Sequence, residues 1–444
     1  MNREYQVAGF MAITAMFTLV GYEFVRSSAT VLFKNAYGAE NLPLVMAALP
    51  FVVFGAVWGY GRLLSSLGPR RTLLLTTLGS SLLMFCCYLL VLSGSKVVTP
   101  VLFLIKEIYI VLLIEQYWSY INSSVSPTTS RRVNGPVTGI AGFGSTIGGF
   151  GVGLSAASYG TETMVLFGAL ALLPAALLSW FTYSRFGEPE VPADTGRDHG
   201  HMGWHWLREN PTLLYLLMIV LSTQVLAACL DFKFQELLSV EYAGRPDEET
   251  AFQGWFWGSL GTAVLVLQFI VAPLLLSFVA LRWIHITMPL IHVGTITLAF
   301  LEPSVFTVGL ALFVFKAFDY SLFRAAKEVL YVPLSYDERY RAKEIIDVFG
   351  YRAGKGGTSV PIAALQSGGV AMGYYYLPVA FIAAAFWLVL IFPLTKHAAA
   401  TQAGRAGTRR RRARRPRSPV ARPTRRRRLR TRVRRAARRS GARS

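Results

Sequence analysis

Charged side chains recur inside apolar segments long enough to cross a bilayer, and this pairing restricts the chain more than any other feature. Twelve stretches of mainly apolar residues can be drawn along it: 7–25, 42–64, 72–92, 100–125, 137–158 and 164–183, then 212–232, 255–278, 283–300, 305–325, 345–364 and 372–392. About twenty such residues span the hydrocarbon core as a helix. Within lipid, only a structure that satisfies its own backbone polar groups is viable. The expected fold is therefore an all-α membrane protein of about twelve transmembrane helices. The chain is 53% hydrophobic over 444 residues, which excludes an ordinary soluble domain.

A net charge of +21 would normally point to nucleic-acid binding. Here the charge belongs to an appendage. Residues 401–444 hold 20 arginines and no acidic residue, and setting those aside leaves 25 Lys+Arg against 24 Asp+Glu. The tail has prolines at 416, 419 and 423 and no apolar face, so disorder is expected. Anionic lipid or RNA are the partners its charge would attract. An arginine-only run is equally what GC-rich DNA read in a shifted or extended frame encodes, so no role is assigned to it.

The cysteines, Cys86, Cys87 and Cys229, all fall in apolar segments and read as buried thiols, not as a disulfide framework. His199, His201 and His205 lie in a polar loop without metal-ligand spacing, and no cofactor is expected. The first apolar stretch lacks a small-residue cleavage site and reads as a mature helix.

Loop charge sets the expected orientation. Alternate loops carry 13 basic residues (Arg3; Arg62, Arg70, Arg71; Arg131, Arg132; Arg185, Arg197, Arg208; Arg282; Arg339, Arg341, Lys343) against three (Lys34, Lys96, Arg245). The opposite set also includes the acidic Asp247, Glu248 and Glu249. The positive-inside rule then places both termini in the cytoplasm. The one long polar linker divides the chain into a six-helix bundle at 1–183, a linker at 184–211, a second bundle at 212–395 and a tail at 396–444, a major-facilitator-like arrangement. Gly61-Arg-Leu-Leu-Ser-Ser-Leu-Gly68-Pro-Arg70-Arg71 is a degenerate form of the facilitator loop, with Ser65 at the Asp position. An offset of 210 residues aligns Lys106 with Lys316, Arg131 with Arg341 and Gly144 with Gly354, which supports a repeat.

An ionisable group near the bilayer centre costs at least about 2.5–3.5 kcal/mol, so it faces a cavity or a partner. Such groups gather on five segments: Glu23 and Arg26; Lys106, Glu107 and Glu115; Asp231 and Lys233; Lys316, Asp319, Arg324, Lys327 and Glu328; Asp347, Arg352 and Lys355. Those segments would line the central cavity of a two-bundle protein. Part of the charge is expected to pair internally, as Glu23 with Arg26 or Asp347 with Arg352. The basic surplus on the tenth and eleventh segments calls for an anionic ligand such as a phosphorylated metabolite. The glycine run 350–357 precedes Thr358 but follows no strand and has the wrong spacing for a P-loop. The seven glycines between 139 and 153 favour close helix packing, with a hinge as the alternative.

Lys327-Glu328-Val-Leu-Tyr331-Val-Pro333-Leu334, the basic Arg339, Arg341 and Lys343, Asp347-Val348, and Arg352-Ala-Gly354-Lys355-Gly356-Gly357 follow one another in an order that resembles the non-mitochondrial ATP/ADP translocases. These are the nucleotide transporters of plastids and obligate intracellular bacteria. Gly38-Ala39-Glu40-Asn41-Leu42-Pro43 and Tyr117-Trp118-Ser-Tyr-Ile-Asn122 resemble two further motifs of that family. The chain departs from it at Ala29 and Thr30, where the family has Lys and Asp, and at Gly356, where it has Ser. The resemblance spans about residues 10–395. It implies a secondary transporter, not an enzyme, that exchanges nucleotides or related phosphorylated anions by alternating access in a bacterial cell membrane. On that reading Arg26, Lys106, Lys316, Lys327, Arg352 and Lys355 hold phosphates. Tyr117, Trp118 and Asn122 contact a base, while Glu23, Glu107, Glu328 and Asp347 balance charge. Two alternatives stand beside it: a symporter of another organic anion with Glu107, Asp231 or Asp347 coupling protons, and a membrane scaffold acting through its tail.

Overall fold

The computed structural model describes residues 3–188, 210–331, 346 and 350–414, with side chains at all of these except 127, 131, 351–353, 355 and 398–414. Among the described residues there is no strand. The helices are α1 (Arg3–Tyr37), α2 (Leu42–Leu92), α3 (Val98–Ser124), α4 (Pro127–Tyr159), α5 (Thr161–Phe186), α6 (Pro211–Glu241), α7 (Pro246–Val266), α8 (Ala272–Phe278), α9 (Leu281–Leu301), α10 (Val305–Phe318), α11 (Arg324–Tyr331), α12 (Tyr351–Ser367) and α13 (Tyr376–Arg414). Residues Met1–His397 form one compact unit and Ala398–Ser444 a second.

Local chemistry sets the helix ends. Ser126 and Asn210 accept backbone N–H bonds from Thr129 and Thr212, each with proline at the first helical position. Ser304 and Thr307 close a capping box at α10. Gly160, at φ 88°, takes the left-handed conformation that lets α4 stop and α5 start at once.

Each of the twelve segments drawn from sequence overlaps a described helix. By length and hydropathy alone, nine helical stretches qualify to cross a membrane. The difference has physical causes. α2 contains two of the segments and turns back at Gly68, the non-helical residue between them (φ 74°). The Thr72 hydroxyl donates to the Leu63 carbonyl at 3.3 Å, whereas nine residues of straight helix rise about 13.5 Å. α3 carries Lys106, Glu107 and Glu115, which count against it in any hydropathy test, and α12 is only 17 residues long. Arg70, just past the turn in the facilitator-like loop, donates to the Ser184 hydroxyl at 2.8 Å and so ties the turn to the end of α5. α7 and α8 join through a π-helical stretch, Leu267–Val271, and α10 and α11 through another, Asp319–Phe323.

Two expectations about loops are corrected. Asp247, Glu248 and Glu249 are not a loop but the first turn of α7, where the helix dipole favours negative charge. Lys34, counted among loop cations, is in the last turn of α1, where the dipole favours positive charge, and is 5% exposed. α6 likewise runs nine residues beyond the predicted end at 232, because Lys233, Gln235 and Glu236 interrupt the hydropathy without breaking the helix. A third correction concerns Cys86, which is exposed among the apolar side chains of α2; Cys87 and Cys229 are buried, and all three are free thiols.

The glycines of α4 serve close packing. A Cβ on Gly148 would lie 2.9 Å from the Val20 Cα of α1, and one on Gly149 would lie 2.5 Å from the Gly258 Cα of α7. Gly258 in turn faces Phe150, and Gly261 faces Thr146. Backbone thus meets backbone where α4 crosses α7. Gly149→Val is expected to wedge these helices apart at a cost of about 1–3 kcal/mol, seen as a lower melting midpoint and less monodisperse protein after detergent extraction.

Large apolar side chains on the outer faces, among them Phe51, Phe54, Leu154, Leu177, Phe278, Leu301 and Ile382, are exposed. Spread over helices of membrane-crossing length, they form a lipid-facing surface. The chain is an integral membrane protein.

Candidate functional site

Arg26, at mid-length of α1, is where the polar groups converge. Its guanidinium lies 3.5 Å from the Glu23 carboxylate one turn earlier and 3.4 Å from the ring centre of Trp257 on α7, with the Tyr22 ring at 5.7 Å. Asp231 of α6 and Tyr320 of the π-helical stretch after α10 are close enough for their charges to act on it. Glu23 is 3% exposed, and besides Arg26 it lies within the electrostatic reach of Lys106 and hydrogen-bonding reach of Ser145. Residues from α1, α3, α4, α6, α7 and the α10 region therefore meet around one arginine.

Lys316 approaches from α10. It is half-buried, 5.5 Å from the Tyr320 ring centre and 5.9 Å from that of Phe315, and no carboxylate lies within 4.0 Å of it among the described residues. Tyr320 is 41% exposed, one turn from Lys316 and within electrostatic reach of Arg26. Arg324, exposed on α11, acts electrostatically on Tyr117 of α3. Tyr320 and Arg324 of the second half are thus within electrostatic reach of Arg26 and Tyr117 of the first.

The other predicted residues are placed as follows. Lys106 is 3% exposed, 3.3 Å from Glu107 and 3.8 Å above the Phe103 ring, so it sits among partners of its own helix. Tyr117 is buried and its ring centre is 5.1 Å from that of half-buried Trp118. Asn122 is exposed, more than a turn further on. Lys327 is buried and Glu328 exposed on α11. Asp347 and the side chains of Arg352 and Lys355 lie outside the described residues, as do His199, His201, His205, Arg339, Arg341 and Lys343. The structure therefore brings Arg26 and Lys106 within reach of Glu23, while Lys316 neighbours Tyr320, which acts on Arg26. Of the expected internal pairs, Glu23 with Arg26 is present.

Sequence reading missed Tyr22, Trp257 and Tyr320. A signal existed for two of them. Tyr22 precedes Arg26 by four residues and Tyr320 follows Lys316 by four, which places an aromatic ring one turn from each buried cation. Trp257 had no such signal, since it comes from another helix. Among the described residues no cluster of His, Cys, Asp and Glu is arranged to hold a metal.

Residues 250–397 match the family model described as TLC ATP/ADP transporter. Over that region the chain resembles the TLC ATP/ADP transporter family. The ADP,ATP carrier protein 1 of Chlamydia muridarum is 25% identical over 266 residues, covering 52% of this chain and 48% of that one. Its counterpart in Chlamydia trachomatis is 24% identical over 231 residues, covering 44% and 42%. The chain thus spans about half the length of the curated relatives it matches. In three dimensions it resembles a bacterial homologue of the iron transporter ferroportin in an inward-facing state (TM-score 0.64, 12% identity, covering 88% of this chain and 98% of that one). It also resembles the nucleoside transporter NupG (TM-score 0.58, 14% identity, 89% and 100%). At such identities the likeness shows that the chain shares the fold of these transporters and shows nothing about its cargo.

Proposed function

We propose that this protein moves nucleotides, or closely related phosphorylated anions, across a bacterial cell membrane by alternating access, with both termini in the cytoplasm. The observation that carries the reading is that Tyr320, one turn from Lys316, lies within electrostatic reach of Arg26 in a chain that resembles the TLC ATP/ADP transporters over 250–397. A guanidinium and an ammonium that neighbour one phenol suit a phosphate group, because charge-assisted hydrogen bonds to phosphate are roughly twice as strong as neutral ones. Lys327, Arg352 and Lys355 are the further candidates for holding phosphates. Tyr117 and Trp118 offer ring faces for a base, while Glu23, Glu107, Glu328 and Asp347 hold the empty site near neutrality. A nucleotide bridging the two halves would favour their closing around it, and a counter-substrate would carry the site back.

The test is uptake by liposomes preloaded with unlabelled nucleotide and offered labelled ATP, ADP, GTP or simple phosphate esters. Exchange that requires internal nucleotide supports the reading, and no uptake of any of them counts against it. A chain truncated after Thr401 is expected to retain uptake within about twofold, whereas a scaffold acting through its tail loses function.

One observation favours a second reading. Asp231 is half-buried within electrostatic reach of both Arg26 and Lys34, with no cation within 4.0 Å among the described residues. A carboxylate so placed is suited to carry a proton. Uptake driven by a pH gradient without internal counter-substrate would establish proton-coupled symport instead.

A further inference from the structure

α1 and α7 run antiparallel across the divide between the two halves of the chain, and they touch through charge at two levels. At the first, the Arg26 guanidinium lies on the Trp257 ring at 3.4 Å. At the second, the Lys34 ammonium pairs with Glu249, and their side chains are 1% and 3% exposed. Arg26 and Lys34 are eight residues apart on α1, and Glu249 and Trp257 are eight apart on α7. Eight residues rise about 12 Å, so one register satisfies both contacts and a shift along the axis breaks both.

The second contact is fully dressed. Lys34 also donates to the Gln235 side-chain oxygen at 2.8 Å and to the Gln235 carbonyl at 3.3 Å. Gln253 donates to Gln235 at 3.2 Å and to Glu249 at 3.1 Å. Beside this network, the Thr161 N–H and hydroxyl of α5 both donate to one oxygen of Asp247 at 2.6 Å, and the Thr161 and Thr250 hydroxyls are 3.0 Å apart. The first two turns of α7 are therefore bolted to α1 and α5 of the first half and to α6 of the second.

Trp257 is 4% exposed, so its ring covers one face of the guanidinium, while Glu23 approaches from one turn back on α1. A planar cation held between a ring and a carboxylate keeps a fixed orientation, which a lone arginine on a helix would not. We propose that Trp257 is a positioning residue for Arg26, and that the Lys34–Glu249 ion pair sets the α7 register that puts it there. Arg26 is presented to an anion only while α7 is seated on α1; when this end of the bundle opens, the anion site loses its platform. The proposal rests on the reading of Arg26 as an anion-binding group and adds how its affinity is tied to conformation.

Two readouts test it, one of which needs no transport. In wild-type protein in liposomes, the rate at which phenylglyoxal modifies Arg26 is followed by mass spectrometry of the α1 peptide. Trp257→Leu and the double variant Lys34→Gln/Glu249→Gln are each expected to raise that rate about tenfold, and Trp257→Phe is expected to hold it within threefold of wild type. In parallel, the half-saturating concentration for labelled ADP uptake is expected to rise about tenfold in Trp257→Leu and to recover in Trp257→Phe, with maximal rates changing less. An unchanged modification rate in Trp257→Leu overturns the positioning role. An unchanged rate in the double variant overturns the part assigned to the ion pair. Wild-type protein that takes up no ADP, yet shows faster Arg26 modification in both variants, upholds the positioning of Arg26 and removes the nucleotide reading.

Discussion

Arg26→Ala is expected to lower ADP uptake at sub-saturating concentration by 100-fold or more. Two effects combine. A charge-assisted anchor to phosphate contributes about 1.5–3 kcal/mol, and its loss alone accounts for about one to two orders of magnitude. The substitution also leaves Glu23 buried without its 3.5 Å partner, and breaking such a pair costs about 3–5 kcal/mol. The two effects separate in the double variant Glu23→Gln/Arg26→Ala, which removes the stranded carboxylate. It is expected to regain the melting midpoint of wild type to within a few degrees while uptake stays lost. Recovery of uptake in the double variant would instead mean that Arg26 serves only to neutralise Glu23.

The second large effect is on stability. Lys34→Met or Glu249→Leu, made singly, is expected to destabilise the protein by about 3–5 kcal/mol, because each leaves a charge in a site from which water is excluded. The double variant Lys34→Met/Glu249→Leu is expected to recover most of that loss, since apolar groups of similar volume replace a buried pair at little net cost. Thermal unfolding of the three detergent-purified variants measures the difference. Arg245 and Glu248, at the start of the same helix and about half exposed at 2.8 Å, provide the contrast. Arg245→Ala is expected to shift the midpoint within experimental scatter, because exposed pairs are screened and hydrated. Equal effects at the two pairs would contradict the buried geometry of the Lys34 network.

What was legible in the sequence follows from which forces act locally. Apolar run length gave the helices, because lipid permits little else, and glycine density on α4 gave its close approaches to α1 and α7. Glu23 and Arg26 were readable as a pair because they share a helix at three residues' spacing. The misreadings fall where a polar residue in a helix looks like a loop. Glu249 sits in an acidic triplet, and Lys34 lies near a helix end. Nothing in either local sequence indicates that they meet across 215 positions of chain. Trp257 was invisible for the same reason. Its contact with Arg26 depends on how α7 crosses α1, which is set by Gly149, Gly254 and Gly258 on a third pair of surfaces. The TLC region, 250–397, coincides with the stretch whose motifs carried the family resemblance, and it contains Trp257, Lys316 and Tyr320. Arg26 is contributed from outside that stretch.

Arg26 and Lys316 are proposed to read the phosphates of a ligand and not merely a flat ring. Competition for bound labelled ADP on purified full-length protein tests this most directly. ATP and unlabelled ADP are predicted to displace the label at similar concentrations, adenosine at a hundredfold excess is predicted to leave it bound, and added salt is predicted to weaken binding. Displacement by adenosine as effective as that by ADP, or binding indifferent to salt, would contradict an anion site built on Arg26 and Lys316.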